Sequence, residues 1–132
     1  AKEKSDAFAS ADVALACSGT VTSEVALQGA PLIIGYKIGW VTWAIARAFL
    51  MKSRFITLLN VAANREIAPE FVQTRFTARN LFIAAAKLLD DPGARKAQIS
   101  EQFKALDTMG RGQKPAADIA ADTIQKILDE SR

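Results

Sequence analysis

The chain has 132 residues, half of them hydrophobic and 23% charged, with a net charge of +3. That is the size and composition of one globular core, and the positive surplus is too small to argue for nucleic acid; it suits an anionic ligand or an acidic membrane surface. With no histidine and one cysteine, these residues exclude Ser-His-Asp and Cys-His catalysis, any histidine-based metal site and an internal disulfide.

The opening Ala1-Lys-Glu-Lys-Ser-Asp-Ala-Phe8 reads as the end of a helix rather than a signal peptide, and the expectation is a piece of a longer protein cut on its N-terminal side. No apolar run approaches the ~20 residues that span a bilayer. Asp12-Val-Ala-Leu-Ala-Cys17 is a short continuous apolar run, which predicts a strand buried on both faces, with Cys17 as an inert core thiol. Residues 20–29 follow as a helix that Gly29 stops, and Pro31-Leu-Ile-Ile-Gly-Tyr36 as the next strand. Strand, helix and strand within ~25 residues make a parallel βαβ unit.

Residues 40–51 read as a helix, 55–59 as a short strand or extended segment, and 60–68 as a loop with room for one helical turn. Pro69 is expected to open a short helix through Gln73. The strands then stop. Thr77 caps a helix with Leu81, Phe82, Ala85, Leu88 and Leu89 on one face, and Asp91-Pro-Gly93 breaks it. A second helix carries Ile99, Phe103 and Leu106. After a linker through Gly110, Gly112 and Pro115, a last helix from Ala116 presents Ala120, Ile124, Ile127 and Leu128. Two or three parallel strands are few for an independent doubly wound sheet. Two regions are expected: a partial Rossmann-like domain over 1–76, and C-terminal helices over 77–132 that pack on it or exchange with a partner chain.

Three segments can carry chemistry. Ser18-Gly19-Thr20 lies between a strand and a helix, where open α/β sheets bind ligands. Gly19 permits close backbone approach, Thr20 and Thr22 can bond phosphate oxygens, and the first helical turn favours an anion. The same residues also serve as ordinary N-caps, and both readings stay open. Glu24 either meets a ribose hydroxyl or complements the helix dipole. In the 40–51 helix, Trp40, Trp43, Ala44, Leu50 and Met51 share a face with Arg47, while Val41, Ile45, Ala48 and Phe49 share the opposite one. A helix apolar on both faces must bury both, one on the sheet and the other on a missing domain, a dimer partner or a membrane. In Asn60-Val-Ala-Ala-Asn64-Arg65-Glu66-Ile-Ala-Pro69-Glu70, Arg65 can grip phosphate bidentately, or form a salt-bridged loop with the neighbouring glutamates.

Taken in order and spacing, Ala-Cys-Ser-Gly-Thr-Val-Thr-Ser-Glu24, Gly35-Tyr-Lys37, Leu59-Asn60, Asn64-Arg65-Glu66 and Pro69-Glu70-Phe-Val-Gln73 resemble the lipid-A-disaccharide synthase family over nearly the whole chain. The family usually has Pro where Leu59 stands and Gly where Asn64 stands; Asn tolerates the left-handed region, so the turn can survive. The resemblance implies an α/β fold, the C-terminal part of a GT-B type glycosyltransferase with two Rossmann-like domains. It implies an inverting, metal-independent transfer of diacylglucosamine from its UDP donor to diacylglucosamine 1-phosphate, with no further cofactor. Ser18, Gly19, Thr20 and Thr22 would then cradle the diphosphate, Glu24 would meet the ribose, and Tyr36, Asn60, Arg65 and Glu66 would line the donor cleft. The catalytic carboxylate would lie outside this chain, leaving the fragment inactive alone. Trp40, Trp43, Arg47, Leu50 and Met51 become candidates for lipid contact, on a peripheral enzyme at the cytoplasmic face of a Gram-negative inner membrane. Partners would be the acylated donor and acceptor, with a homodimer by C-terminal exchange as a further expectation. The alternatives are another UDP-sugar enzyme of the same architecture, such as an epimerase or a peptidoglycan glycosyltransferase, and a non-catalytic helical dimerisation module.

Overall fold

In a computed structural model, which describes residues 2–17, 20–45, 48, 55–112 and 116–130, the chain forms a parallel sheet of three strands. The elements run α1 (Lys2–Ala9), β1 (Ala14–Ala16), α2 (Thr20–Leu27), β2 (Leu32–Tyr36), α3 (Trp40–Ile45), α4 (Leu58–Ala63), β3 (Glu70–Val72), α5 (Ala78–Asp90), α6 (Pro92–Thr108) and α7 (Ala116–Glu130). A 3-10 turn, Gln73–Arg75, follows β3. The central strand is β2, with Ala14 opposite Leu32 on one side and Ile34 opposite Glu70 on the other.

The βαβ unit forms where its apolar runs predict it. Gly29 ends α2 at φ +80, a conformation open to glycine. Thr22, Val25 and Ala26 make the buried stripe of α2. Val25 and Ala26 pack in one cluster with Leu32 and Ile34 of β2, Leu59 of α4 and Leu106 of α6. The opposite face of β2, carrying Ile33, meets Leu81 and Ala85 of α5 across a groove of about 470 Å³. Leu15 lines the same groove and is 60% exposed. The expectation of a first strand buried on both faces is therefore corrected: β1 is an edge strand, and the face carrying Leu15 is largely open. Cys17, expected in the core, is exposed just beyond the end of β1.

The third strand lies elsewhere than expected. Residues 55–59 are not a strand; Leu58 opens α4, and Glu70–Val72, expected within a short helix, forms β3. A short apolar run is compatible with either state, and long-range partners decide. The partner here is Glu70, whose carboxylate accepts the backbone N–H groups of Ile56 (3.0 Å) and Thr57 (2.7 Å), just where α4 begins. That satisfies orphan donors of a helix whose N-cap residue, Thr57, makes no capping bond of its own. Pro69 then sits at the entry to β3, where no N–H is needed, and its carbonyl accepts from Ile34 N at 2.8 Å.

The C-terminal helices begin as expected. The Thr77 hydroxyl caps α5 by accepting from Asn80 N, and Asp91 caps α6 with Pro92 in its first turn. On α5, Leu88 is buried, but Phe82 and Leu89 on the same apolar face are 73% and 51% exposed. Along α6, Leu106 is buried and Phe103 packs against the main cluster. The side chain of Gln102, fully buried on that stripe, accepts from Leu32 N (3.1 Å) and donates to Ala30 O (2.9 Å). Gln98, one turn earlier, donates to Leu32 O at 2.7 Å. Two glutamines thus serve the backbone on both sides of Pro31, which has no N–H of its own. Gly110 and Gly112, both at positive φ, end this helix. Beyond them every α7 side chain among the described residues is exposed, including Ile124, Ile127 and Leu128.

Candidate functional site

Parallel strands place all their carboxyl ends on one edge of the sheet. Here that edge carries Cys17, Tyr36 and Gln73, and α2 starts from it at Thr20. Ser18 and Gly19 lie outside the described residues. Within α2, Thr22 faces the core, and Glu24 on the partly open side pairs with Lys4 of α1. Tyr36 is half-buried at the end of β2, and the exposed Lys37 follows it.

The 60–70 segment is built differently. Asn60 is fully buried in α4. Its Oδ1 accepts from Ile67 N (2.8 Å) and Ala68 N (3.0 Å); its Nδ2 donates to Ala68 O (2.8 Å) and to Glu70 Oε1 (2.9 Å). Those four bonds use the amide's full capacity. They fold residues 64–69 into a tight return from α4 to β3. Asn64 makes the turn possible at φ 52 and ψ 27, so a residue tolerant of the left-handed region stands where it is required. Asn60 therefore holds this loop and offers no free polar atom to a cleft.

Arg65 projects from the same loop to Glu101 of α6, which also binds Lys104. The expected pairing of Arg65 with its neighbouring glutamates is corrected: Glu70 is buried under Asn60, and the partner comes from a helix 36 residues on. Arg65 and Glu66 line a second cleft of about 550 Å³ between this loop, α5 and α6. Its neighbour Gln98 bonds Leu32, so this cleft opens toward the amino ends of the strands. The structure thus separates the candidate residues it describes: Cys17, the start of α2 at Thr20 and residues 36–37 lie at the carboxyl edge, while Asn60, Arg65 and Glu66 belong to the segment leading into β3.

Of the apolar helix, Trp40–Ile45 is described as α3; Arg47, Leu50 and Met51 lie outside the described residues. Trp40 (62%), Val41 (75%) and Ile45 (53%) are exposed and Trp43 is half-buried, so both faces of this short helix meet solvent. Among the described residues no group of acidic or cysteine side chains could hold a metal ion, and no helix is long and apolar enough to cross a membrane.

The sequence assigned no bracing role to three glutamines and one glutamate that organise these loops. Gln98, Gln102 and Glu70 act at the amino side. Gln73, only 6% exposed, acts at the carboxyl edge: it accepts from Ile38 N (2.8 Å) and donates to Ile38 O (3.0 Å). A signal existed for Gln102, a polar residue on the apolar stripe of Ile99, Phe103 and Leu106.

Residues 1–124 match the family model described as lipid-A-disaccharide synthetase. The chain belongs to that family. It is 36% identical over 126 residues to the lipid-A-disaccharide synthase of Rhodospirillum centenum, covering 96% of this chain and 31% of the relative. With the synthase of Paramagnetospirillum magneticum it shares 38% identity over 131 residues, 98% of this chain and 34% of that one. The synthase of Rickettsia bellii is 39% identical over 108 residues, covering 82% of this chain and 28% of the relative. The chain thus spans about a third of the length of these curated relatives. Its small parallel sheet with surrounding helices is consistent with part of a GT-B glycosyltransferase domain.

Proposed function

We propose that this chain is the donor-binding part of an enzyme that moves diacylglucosamine from UDP to diacylglucosamine 1-phosphate, making the lipid A disaccharide. The family match carries the reading. The geometry supports it at one place, the carboxyl edge, from which α2 starts at Thr20 and where β2 ends at Tyr36. Displacing UDP requires charge stabilisation on a leaving diphosphate, and amides at a helix N-terminus provide it without a metal. Ser18, Gly19 and Thr20 take the phosphates, and Tyr36 closes the other side of the site. Glu24 reaches the ribose after exchanging Lys4 for it. Asn60, Arg65 and Glu66 act from behind, as the braced loop that sets β3 in place.

Titrating UDP into the chain while following amide resonances tests this. Shifts centred on residues 18–20 and 36–37 are expected; shifts absent at millimolar UDP overturn the reading. The other half of the cleft and its general base belong to the remainder that the relatives possess, so the chain alone is expected to show no transferase turnover. Residues 1–76 form the nucleotide-binding part, and 77–132 the helices that pack on it or exchange between chains. The exposed apolar residues of α7, beyond two positive-φ glycines, favour such an exchanged homodimer; a strict monomer by sedimentation at every concentration removes it.

Exposed Trp40, Val41 and Ile45 favour contact of α3 with the acyl region of a bilayer, on the cytoplasmic face of a Gram-negative inner membrane. Co-sedimentation with anionic vesicles should weaken in a Trp40→Ala, Trp43→Ala double variant, and equal binding by both proteins discards the membrane role.

A further inference from the structure

Beyond Val72 the backbone leaves the sheet, yet the bonding to the chain after β2 continues through a side chain. Tyr36 and Val72 are the last register pair of β2 and β3. Two residues on from Tyr36, the N–H and C=O of Ile38 are both met by the amide of Gln73. A primary amide offers one acceptor and one donor side by side, so it can stand in for a strand's peptide group. Gly39, next in the chain, accepts from Trp43 N at 2.9 Å in the opening turn of α3. Gln73 thereby fixes residues 37–39 and the point from which α3 departs.

The backbone of Gln73 indicates that its side chain is what the position requires. It sits at φ 54, a left-handed conformation that glycine or asparagine would adopt at lower cost. A glutamine there is poorly explained by the turn and well explained by its reach to Ile38. The turn is pinned a second time by Phe76, whose ring lies so close to Gly35 that a Cβ on that residue would come within 2.2 Å of it. Residues 73–76 therefore grip the end of β2 at Gly35 and the loop beyond it at Ile38.

We infer that Gln73 is a positioning residue for donor binding: its side-chain amide holds the loop of residues 37–39 in one conformation at the carboxyl edge of the sheet, the edge from which α2 starts. This rests on the nucleotide reading above and adds to it a residue that touches no ligand. Preorganisation of such a loop is lost when its second support is removed, with little change in the surface offered to the ligand.

Two variants of the full chain test the role. Gln73→Gly removes the amide and relieves the backbone, so a deficit in it does not come from strain. Gln73→Glu keeps the shape and the acceptor for Ile38 N, but places its second carboxylate oxygen against the Ile38 carbonyl, where protonation would restore a donor. In Gln73→Gly, Ile38 amide exchange should quicken at least ~10-fold while Leu32, held by Gln102, is unchanged. UDP should bind ~5- to 10-fold more weakly to both variants at pH 7.5, and the deficit of Gln73→Glu relative to wild type should shrink toward pH 5. Unchanged exchange at Ile38 overturns the clamp. Freed Ile38 with undiminished UDP affinity overturns the positioning role alone. A wild-type chain that binds no UDP removes the nucleotide reading and the role together, while exchange at Ile38 still reports whether the clamp exists.

Discussion

The two ends of the sheet are built to different standards. At the amino end, Gln98, Gln102, Asn60 and Glu70 are spent on backbone groups of their own chain, and Arg65 is tied to Glu101. At the carboxyl end, Gln73 is the side chain among the described residues that braces a loop in the same manner, and Cys17 and Lys37 face solvent. Buried polar groups that are fully satisfied confer rigidity and a unique packing, and they leave nothing over for a ligand. The difference teaches where each kind of work is done: the amino end sets the fold, and the opposite end has donors and acceptors left to offer.

Breaking the amino end should cost most at Asn60. Asn60→Leu strands the amides of Ile67 and Ala68 and the carbonyl of Ala68 in the interior, and leaves Glu70 Oε1 with Thr57 N alone. A loss of about 3 to 5 kcal/mol is expected, enough to unfold a marginal domain, as read by urea denaturation. A loss below about 1 kcal/mol would mean that the loop does not depend on that amide. Next comes Gln102→Leu, which keeps the apolar stripe but orphans Leu32 N and Ala30 O; about 2 to 3 kcal/mol is expected. If α6 instead binds more tightly in that variant, the polar contact contributes specificity and not stability. Smallest is Glu101→Gln, which breaks an ion pair whose arginine is 59% exposed; less than about 1 kcal/mol should be lost, falling further with added salt. None of the three is expected to alter UDP affinity in protein that remains folded. A large effect of Glu101→Gln on UDP binding would erase the distinction between the ends.

Local signals account for the part of this fold that was legible in the sequence. The unit from β1 to β2 announces itself by two apolar runs and a glycine that must adopt positive φ, and the caps at Thr77 and Asp91 are chemistry of neighbouring residues. The third strand was not legible. Phe55-Ile-Thr-Leu-Leu59 carries the stronger apolar pattern, and Pro69 imitates a helix start. The outcome turns on Glu70 reaching back 13 residues to Thr57, a contact no window of sequence contains. Cys17 was misplaced for a related reason: its apolar neighbours describe a strand but say nothing of its being at the sheet's edge.

The candidate site divides in the same way. Residues 18–20 are proposed from residue types that suit a strand–turn–helix context, of which the start of α2 at Thr20 is observed. Asn60 could be picked out through resemblance, yet what it does could not, since its partners lie seven to ten residues away and meet it only after the chain turns at Asn64. Gln73 and Gln102 have the composition of solvent-facing residues. Their burial is a property of the assembled chain.

One consequence of the Gln98–Gln102 pair concerns how α6 leaves the sheet. Successive turns of a helix are about 5.4 Å apart, so sliding by one turn would carry one glutamine to its neighbour's place and leave the other's contact empty; only one register makes both. The helix accordingly has a single seat. It cannot creep along its groove to relieve strain or to follow a partner; it is either home or off, and its detachment should be abrupt where that of α7 is gradual.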